Sequence, residues 1–179
     1  MLPSKLCCGI LVGTALLTPV SADEPAKSEK KTKDVQANFE RLKKLVGDWE
    51  VVDSKDEATK GKVALTYRLT AGGSAVIETV FPGSEMEMVS VYHRDGDQLV
   101  MTHYCCAGNQ PRMRAKTGDS KDELVFEFTG GSNLDPAKDG HIHNGRIRFV
   151  DADHIQSEWE FYSGGKPANK HSFELVRKK

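Results

Sequence analysis

His103-Tyr104-Cys105-Cys106 sets an imidazole, a phenol and two thiols side by side. Most of the chain's unusual side chains lie in this stretch or close to it, between Met86 and Met113. If the segment is a strand, His103 and Cys105 share a face, because side chains two apart point the same way. Leu99 and Met101 have the same parity, so that face points inward. An inward imidazole and thiolate are natural ligands for zinc or copper. Two ligands do not complete a site; His93 and Cys106 are the nearest candidates to add. The competing reading makes His103 a hydrogen-bonded interior histidine and the thiols small packing groups.

Asn109-Gln110-Pro111-Arg112 follows directly. Asn and Pro suit a turn for backbone reasons, but Gln110 and Arg112 are not demanded by one. At the mouth of a barrel, an amide and a guanidinium would suit a carboxylate or another planar polar head group. Met86 and Met88 share a face with Tyr92, as adaptable packing around a lipid-like ligand or as plain core. His171 has the parity of Phe173 and Leu175. An inward neutral imidazole there could be a haem axial ligand, or simply a satisfied interior histidine. His141-x-His143 could share one metal on a strand, but it falls in or just after the loop 130–140 and is expected on a solvated surface. His154 sits in a turn. No nucleophile elbow, phosphate-cradling loop, H-E-x-x-H or telling carboxylate pair occurs, so a binding role leads over an enzymatic one.

The elements that must position these groups are mostly strands. Met86 to His93 alternates, Asp95-Gly96 is a strong hairpin signal, and Leu99 to Cys105 pairs back. Trp49 and Val51, then Val63, Leu65, Tyr67 and Leu69, alternate with polar or small neighbours. Further short strands are predicted over 75–81, 112–116, 124–128, 146–150, 155–162 and 170–176, separated by turn signals. No βαβ alternation appears, so a parallel sheet is not expected. The fold class is all-β: an antiparallel up-and-down barrel of about nine to ten strands, which hides its own edges. A two-sheet sandwich is the alternative. Val35, Phe39, Leu42 and Val46 recur at helical spacing between Asp34 and Gly47, predicting one short amphipathic helix before the first strand.

Ahead of that helix, residues 23–34 are dense in Lys, Glu, Ala and Ser and read as a disordered linker. Residues 1–22 read as a signal peptide: Lys5, the apolar run Leu6 to Leu17, then Val20-Ser21-Ala22 as a small-residue cleavage site. Cleavage near Ala22 would export the chain to the periplasm or beyond the cell, with the barrel domain over 35–179. Cys7 and Cys8 would be lost, leaving adjacent Cys105 and Cys106, a spacing that seldom bonds to itself. Lys and Arg total 25 against 26 Asp and Glu, a net charge of -1, which gives no reason to expect nucleic acid as partner. No second long apolar run follows, so no membrane span is expected in the mature chain.

The helix feeding Leu45-Val46-Gly47-Asp48-Trp49-Glu50 resembles the G-x-W opening of the calycin superfamily. More closely, the domain resembles secreted bacterial lipocalin-like proteins of uncharacterised function. The similarity runs through Leu69 to Ala75, Glu78 to Gly83, Glu87 to His93 and His103 to Met113. It implies a calycin-like barrel whose Trp49 packs across the closed end, and no particular activity. The nitrobindin-like haem barrels, which hold haem through a histidine near the C-terminus, are similar only in the position of His171. A barrel of this size can hold one small ligand. The expected function is therefore to bind a small, apolar or amphiphilic molecule, with Met88, Tyr92, His103, Tyr104, Gln110 and Arg112 as ligand-binding residues. Alternatives are a haem or transition-metal protein using His171, or His103 with Cys105, and a ligand-free barrel acting through its surface.

Overall fold

A computed structural model describes residues 23–52, 61–116 and 122–179. The expected signal peptide lies outside the described residues. The order is a helix, α1 (Asp23–Lys43), then β1 (Gly47–Val51), β2 (Val63–Thr70), β3 (Ala75–Val80), β4 (Met88–Asp95) and β5 (Gln98–Tyr104). β6 (Gln110–Ala115), β7 (Glu123–Ser132), β8 (His141–Phe149), β9 (His154–Ser163) and β10 (Lys166–Arg177) complete it. Every strand pairs antiparallel with its sequence neighbours, and β1 pairs with β10, closing a ten-stranded up-and-down barrel. Closure answers the edge problem that a long meander poses, because no strand is left with an unpaired side. The β4–β5 hairpin turns through Gly96, whose φ of 56° suits a residue without a Cβ.

The alternation of apolar residues becomes the barrel's interior. Tyr67, Val76, Tyr92, Leu99, Met101, Met113, Leu124, Phe126, Ile147, Ile155 and Leu175 are all buried in one core. One end is closed by α1. Val35, Phe39 and Leu42 form its buried stripe, with Leu45 beside them, while Arg41 stacks 4.1 Å from the Phe149 ring centroid. Leu45 and Trp49 carry that packing into β1. None of the described helices is long and apolar enough to cross a membrane.

The helix is longer than its apolar pattern predicts. Residues 23–34, expected as a disordered linker, form its first turns. Their Ala, Glu and Lys are strong helix formers, and Pro25 and two acids sit where a helix start tolerates them. Nucleation by the packed half lets good formers extend outward without core contacts of their own. Lys31 reaches Asp97 on the β4–β5 turn, but both side chains are well exposed. Deleting residues 23–33 is therefore expected to move the melting temperature by no more than about 2 °C. A larger fall in thermal denaturation would mean that the outer turns dock.

Candidate functional site

The site rests on one row of the sheet. Tyr67 of β2 faces Glu78 of β3, Glu78 faces Ser90 of β4, and Ser90 faces His103 of β5. All four are inward and buried, which places a carboxyl, a hydroxyl and an imidazole across the inside of the barrel. Tyr67 Oη donates to Glu78 Oε1 at 2.6 Å, and Tyr92 Oη donates to Oε2 at 2.7 Å from one step below the row. Burial still pushes the Glu78 carboxyl above the usual carboxylate range, against the pull of the two tyrosine hydroxyls. Ser90 Oγ lies 3.0 Å from His103 Nδ1. The other ring nitrogen, His103 Nε2, is buried and has no partner in the protein. Burial lowers the His103 pKa to about 4, so the ring is neutral at ordinary pH.

Above this row the barrel is not filled. A cavity of about 230 Å³ opens there, with Glu78, Ser90, His103, Ser157 and His171 as its polar lining. Its walls are otherwise apolar or soft: Leu65, Val80, Met88, Ile142, Trp159 and Phe161 among them. Phe81 and Phe173 meet edge-on, with centroids 5.8 Å apart and planes at 77°. Phe81 holds a left-handed backbone (φ 51°), a conformation that disfavours bulky side chains. The Cys105 thiol stands 4.0 Å from the Met88 sulfur, and burial pushes it up, so it stays protonated.

Trp159 is fixed from two sides. Its Nε1 donates to Ser157 Oγ at 2.9 Å, and its ring stacks on Phe126 at 6.5 Å. Beneath it lies Gly145, where an added Cβ would stand 2.0 Å from Trp159 Cζ3. The glycine is therefore a seat for the indole. Gly145→Ala is expected to cost about 1–3 kcal/mol in denaturant unfolding, because the ring must leave its rotamer or its place. A neutral effect would mean that the indole has free space to retreat into.

The residues anticipated for the site divide in two. His103, Cys105 and Met88 do line one cavity, with Met86, Cys106 and His171 around it. His171, considered as an interior haem ligand, is nonetheless exposed. Tyr92 lies below the cavity as a partner of Glu78. Tyr104 is 51% exposed, and the alternation that turns His103 in turns it out. Gln110 and Arg112 both belong to β6, which begins two residues before the expected strand start at Arg112. Pro111 and Met113 are the buried side of that strand, so Arg112 is exposed on the outer face. Gln110 bonds Gly108 O and Asn133 instead of a ligand. His93 is exposed, and His154 pairs with Asp151 on the surface. Among the described residues no group of three or more His, Cys, Asp or Glu is arranged to hold a metal.

His141 and His143 correct another expectation. They lie on β8, not in a solvated loop, and His141 is fully buried. A bulge between Ile142 and Asn144 turns Ile142 to the cavity, and its two histidine neighbours pack away from it. His141 Nε2 and His143 Nδ1 are 3.0 Å apart, and His143 is sandwiched between Phe128 and Tyr162 at 4.5 and 3.9 Å. Burial first, and then His141, lower the His143 pKa.

Glu78, Ser90, Tyr67, Ser157 and Trp159 were not anticipated. The signal was present for Glu78, which shares the inward parity of the apolar Val76 and Val80. No protein-family model matches this sequence, and a search of curated proteins finds no significant relative.

Proposed function

We propose that this chain is an exported binding protein that holds one small, largely apolar molecule with a polar end inside its barrel. The observation that carries this reading is the cavity itself: apolar walls with a few polar groups, Glu78, Ser90, His103 and Ser157, gathered in them. An apolar cavity with a small number of convergent polar groups is the usual form of a small-molecule site. Lys5, the apolar run to Leu17 and Val20-Ser21-Ala22 support export, with the mature chain starting near Asp23. A native mass spectrum of the protein purified from its own source tests both points. The expected result is a polypeptide beginning near Asp23 that carries the excess mass of a small organic molecule. A bare polypeptide that also takes up no apolar probe would overturn the binding reading, and an intact residue 1 would overturn export.

A second reading, a transition metal or haem, draws on the thiol–thioether pair of Cys105 and Met88 beside His103 and His171. In the same spectrum it would register as the mass of copper, zinc or haem.

A further inference from the structure

Sulfur is gathered at one place in this molecule. Beyond residue 22 the chain has six sulfur side chains, those of Met86, Met88, Met101, Met113, Cys105 and Cys106. Met101 and Met113 are buried in the core. The other four line the cavity described above. Register brings two of them face to face. Val89 of β4 pairs with Tyr104 of β5, so one step further along Met88 meets Cys105. Their sulfurs stand 4.0 Å apart. Met86 precedes Met88 by two residues, and Cys106 follows Cys105 into the turn; both are exposed.

Thiolates and thioethers are soft, polarisable donors that select soft metal ions, copper(I) among them. Zinc draws on thiolate, imidazole and carboxylate, and thioethers are not among its usual ligands. Among the described residues no group of three or more His, Cys, Asp or Glu is arranged to hold a metal, which turns the choice toward the thioethers. His103 stays out of the set: its Nδ1 is 3.0 Å from Ser90 Oγ, and its Nε2 is buried. Two bonds of about 2.3 Å would span the 4.0 Å between Cys105 and Met88 at an angle of about 120°, as around a three-coordinate ion. Cys105 and Cys106 are both free thiols. Neighbouring cysteines seldom bond to each other, yet the export proposed above would carry them into an oxidising compartment, where unpaired thiols are uncommon. A bound soft ion would account for their survival there.

Resting on the second reading above, and naming its metal and ligands, we infer that the rim of the cavity is a copper(I) site, with the ion held between Cys105 Sγ and Met88 Sδ and by a third sulfur from Cys106 or Met86. Burial keeps Cys105 a thiol, so the incoming ion displaces its proton, which leaves to solvent. The copper stays monovalent throughout, and no electron is transferred. The apolar lining, Phe81 and Phe173 among it, limits solvent access to the ion.

Anaerobic competition for copper(I) against bicinchoninate, a coloured copper(I) chelator, tests this on the reduced protein, with zinc(II) and haem titrated separately. The expected result is one copper(I) withdrawn per chain, with a thiolate-to-copper charge-transfer band in the ultraviolet and no displacement by zinc. Cys105→Ser and Met88→Leu roughly conserve volume, so the fold should survive, which circular dichroism checks. Each is expected to weaken copper binding at least about ten-fold, since a ligand counts for no less than the shell that supports it. X-ray absorption at the copper edge is expected to count three sulfur neighbours. Undiminished affinity in Met88→Leu would mean that thiols alone hold the ion, and would overturn the site. No loss in either Cys106→Ser or Met86→Leu, or an imidazole shell in the absorption spectrum, would overturn the ligand set. Tighter binding of zinc or haem than of copper would overturn copper(I) and leave the second reading standing. Uptake of none of the three would overturn that reading and this inference together.

Discussion

Trp49→Ala is expected to lower the free energy of unfolding by about 4 kcal/mol, the cost of removing a large aromatic from a close-packed site. Trp49 is fully buried where β1 leaves the helix. Its Nε1 donates to Leu45 O at 2.8 Å, so the indole ties the chain just after α1 to the first strand. Over its ring lies the Arg177 guanidinium, 4.4 Å from the centroid. Arg177 in turn donates to Val46 O at 2.7 Å and Lys44 O at 2.8 Å, and pairs with Asp153 at 3.2 Å. Alanine would leave a void under the guanidinium and remove the donor to Leu45. Trp49→Phe keeps most of the volume and loses the hydrogen bond, so a smaller loss of about 1–2 kcal/mol is expected. Urea unfolding of both variants checks the pair. An unchanged midpoint for the alanine variant would mean that this end of the barrel contributes nothing to closure.

The second large effect is one of pH. His103 has a folded pKa of about 4 against an ordinary value of 6.5. Below 6.5 the unfolded chain takes up a proton that the folded ring refuses, so stability falls as pH drops from 6.5 toward 4 and is whole above that window. Two and a half pKa units correspond to about 3 kcal/mol. The titratable groups around the ring are Glu78 of β3, Tyr67 of β2, Tyr92 of β4 and Cys105 just past the end of β5, with His171 of β10 at the rim. The Glu78 carboxyl is also raised by burial and acts in the opposite sense: above its ordinary value the folded group holds a proton that the unfolded one releases, so its contribution grows as the pH falls. The comparison of native protein with His103→Leu isolates the histidine. The native protein should lose about 3 kcal/mol more than the variant between pH 7.5 and pH 4. Parallel profiles would mean that the ring is solvated in the folded state.

The barrel was legible because strand alternation and turn chemistry report on the same thing, the division of each strand into a wet and a dry side. Leu99, Met101 and His103 kept the parity that their types suggest, and Asp95-Gly96 marked the hairpin. The helix was read short because apolar spacing sees only the packed face from Val35 onward, while Ala, Glu and Lys extend a helix without burying anything. The site was half legible. His103, Cys105 and Met88 are on one strand or adjacent ones, within reach of parity arguments. Arg112 was expected at the barrel mouth, whereas the strand begins two residues before it, and with Pro111 and Met113 buried the alternation turns the guanidinium to the outer face. The polar row escaped because its members come from β2, β3, β4 and β5, and only register aligns Tyr67, Glu78, Ser90 and His103. Periodicity gives each strand's faces; it does not give the offset between strands.

The seam between β1 and β10 has a consequence for how the molecule comes into being. Trp49 pairs with Arg177, so the residues that seal the barrel are separated by almost the whole length of the domain. A ribosome makes them in sequence, and nine strands can meet their neighbours as they emerge while the tenth is still missing. Until β10 is made, β1 has an open side, Trp49 lacks its guanidinium cover, and the helix has no finished rim to cap. Such long-range closure is the slow part of assembly, since the entropy of gathering distant segments is spent before their contacts form. The protein is thus a late folder by construction, its native state withheld until its last strand arrives.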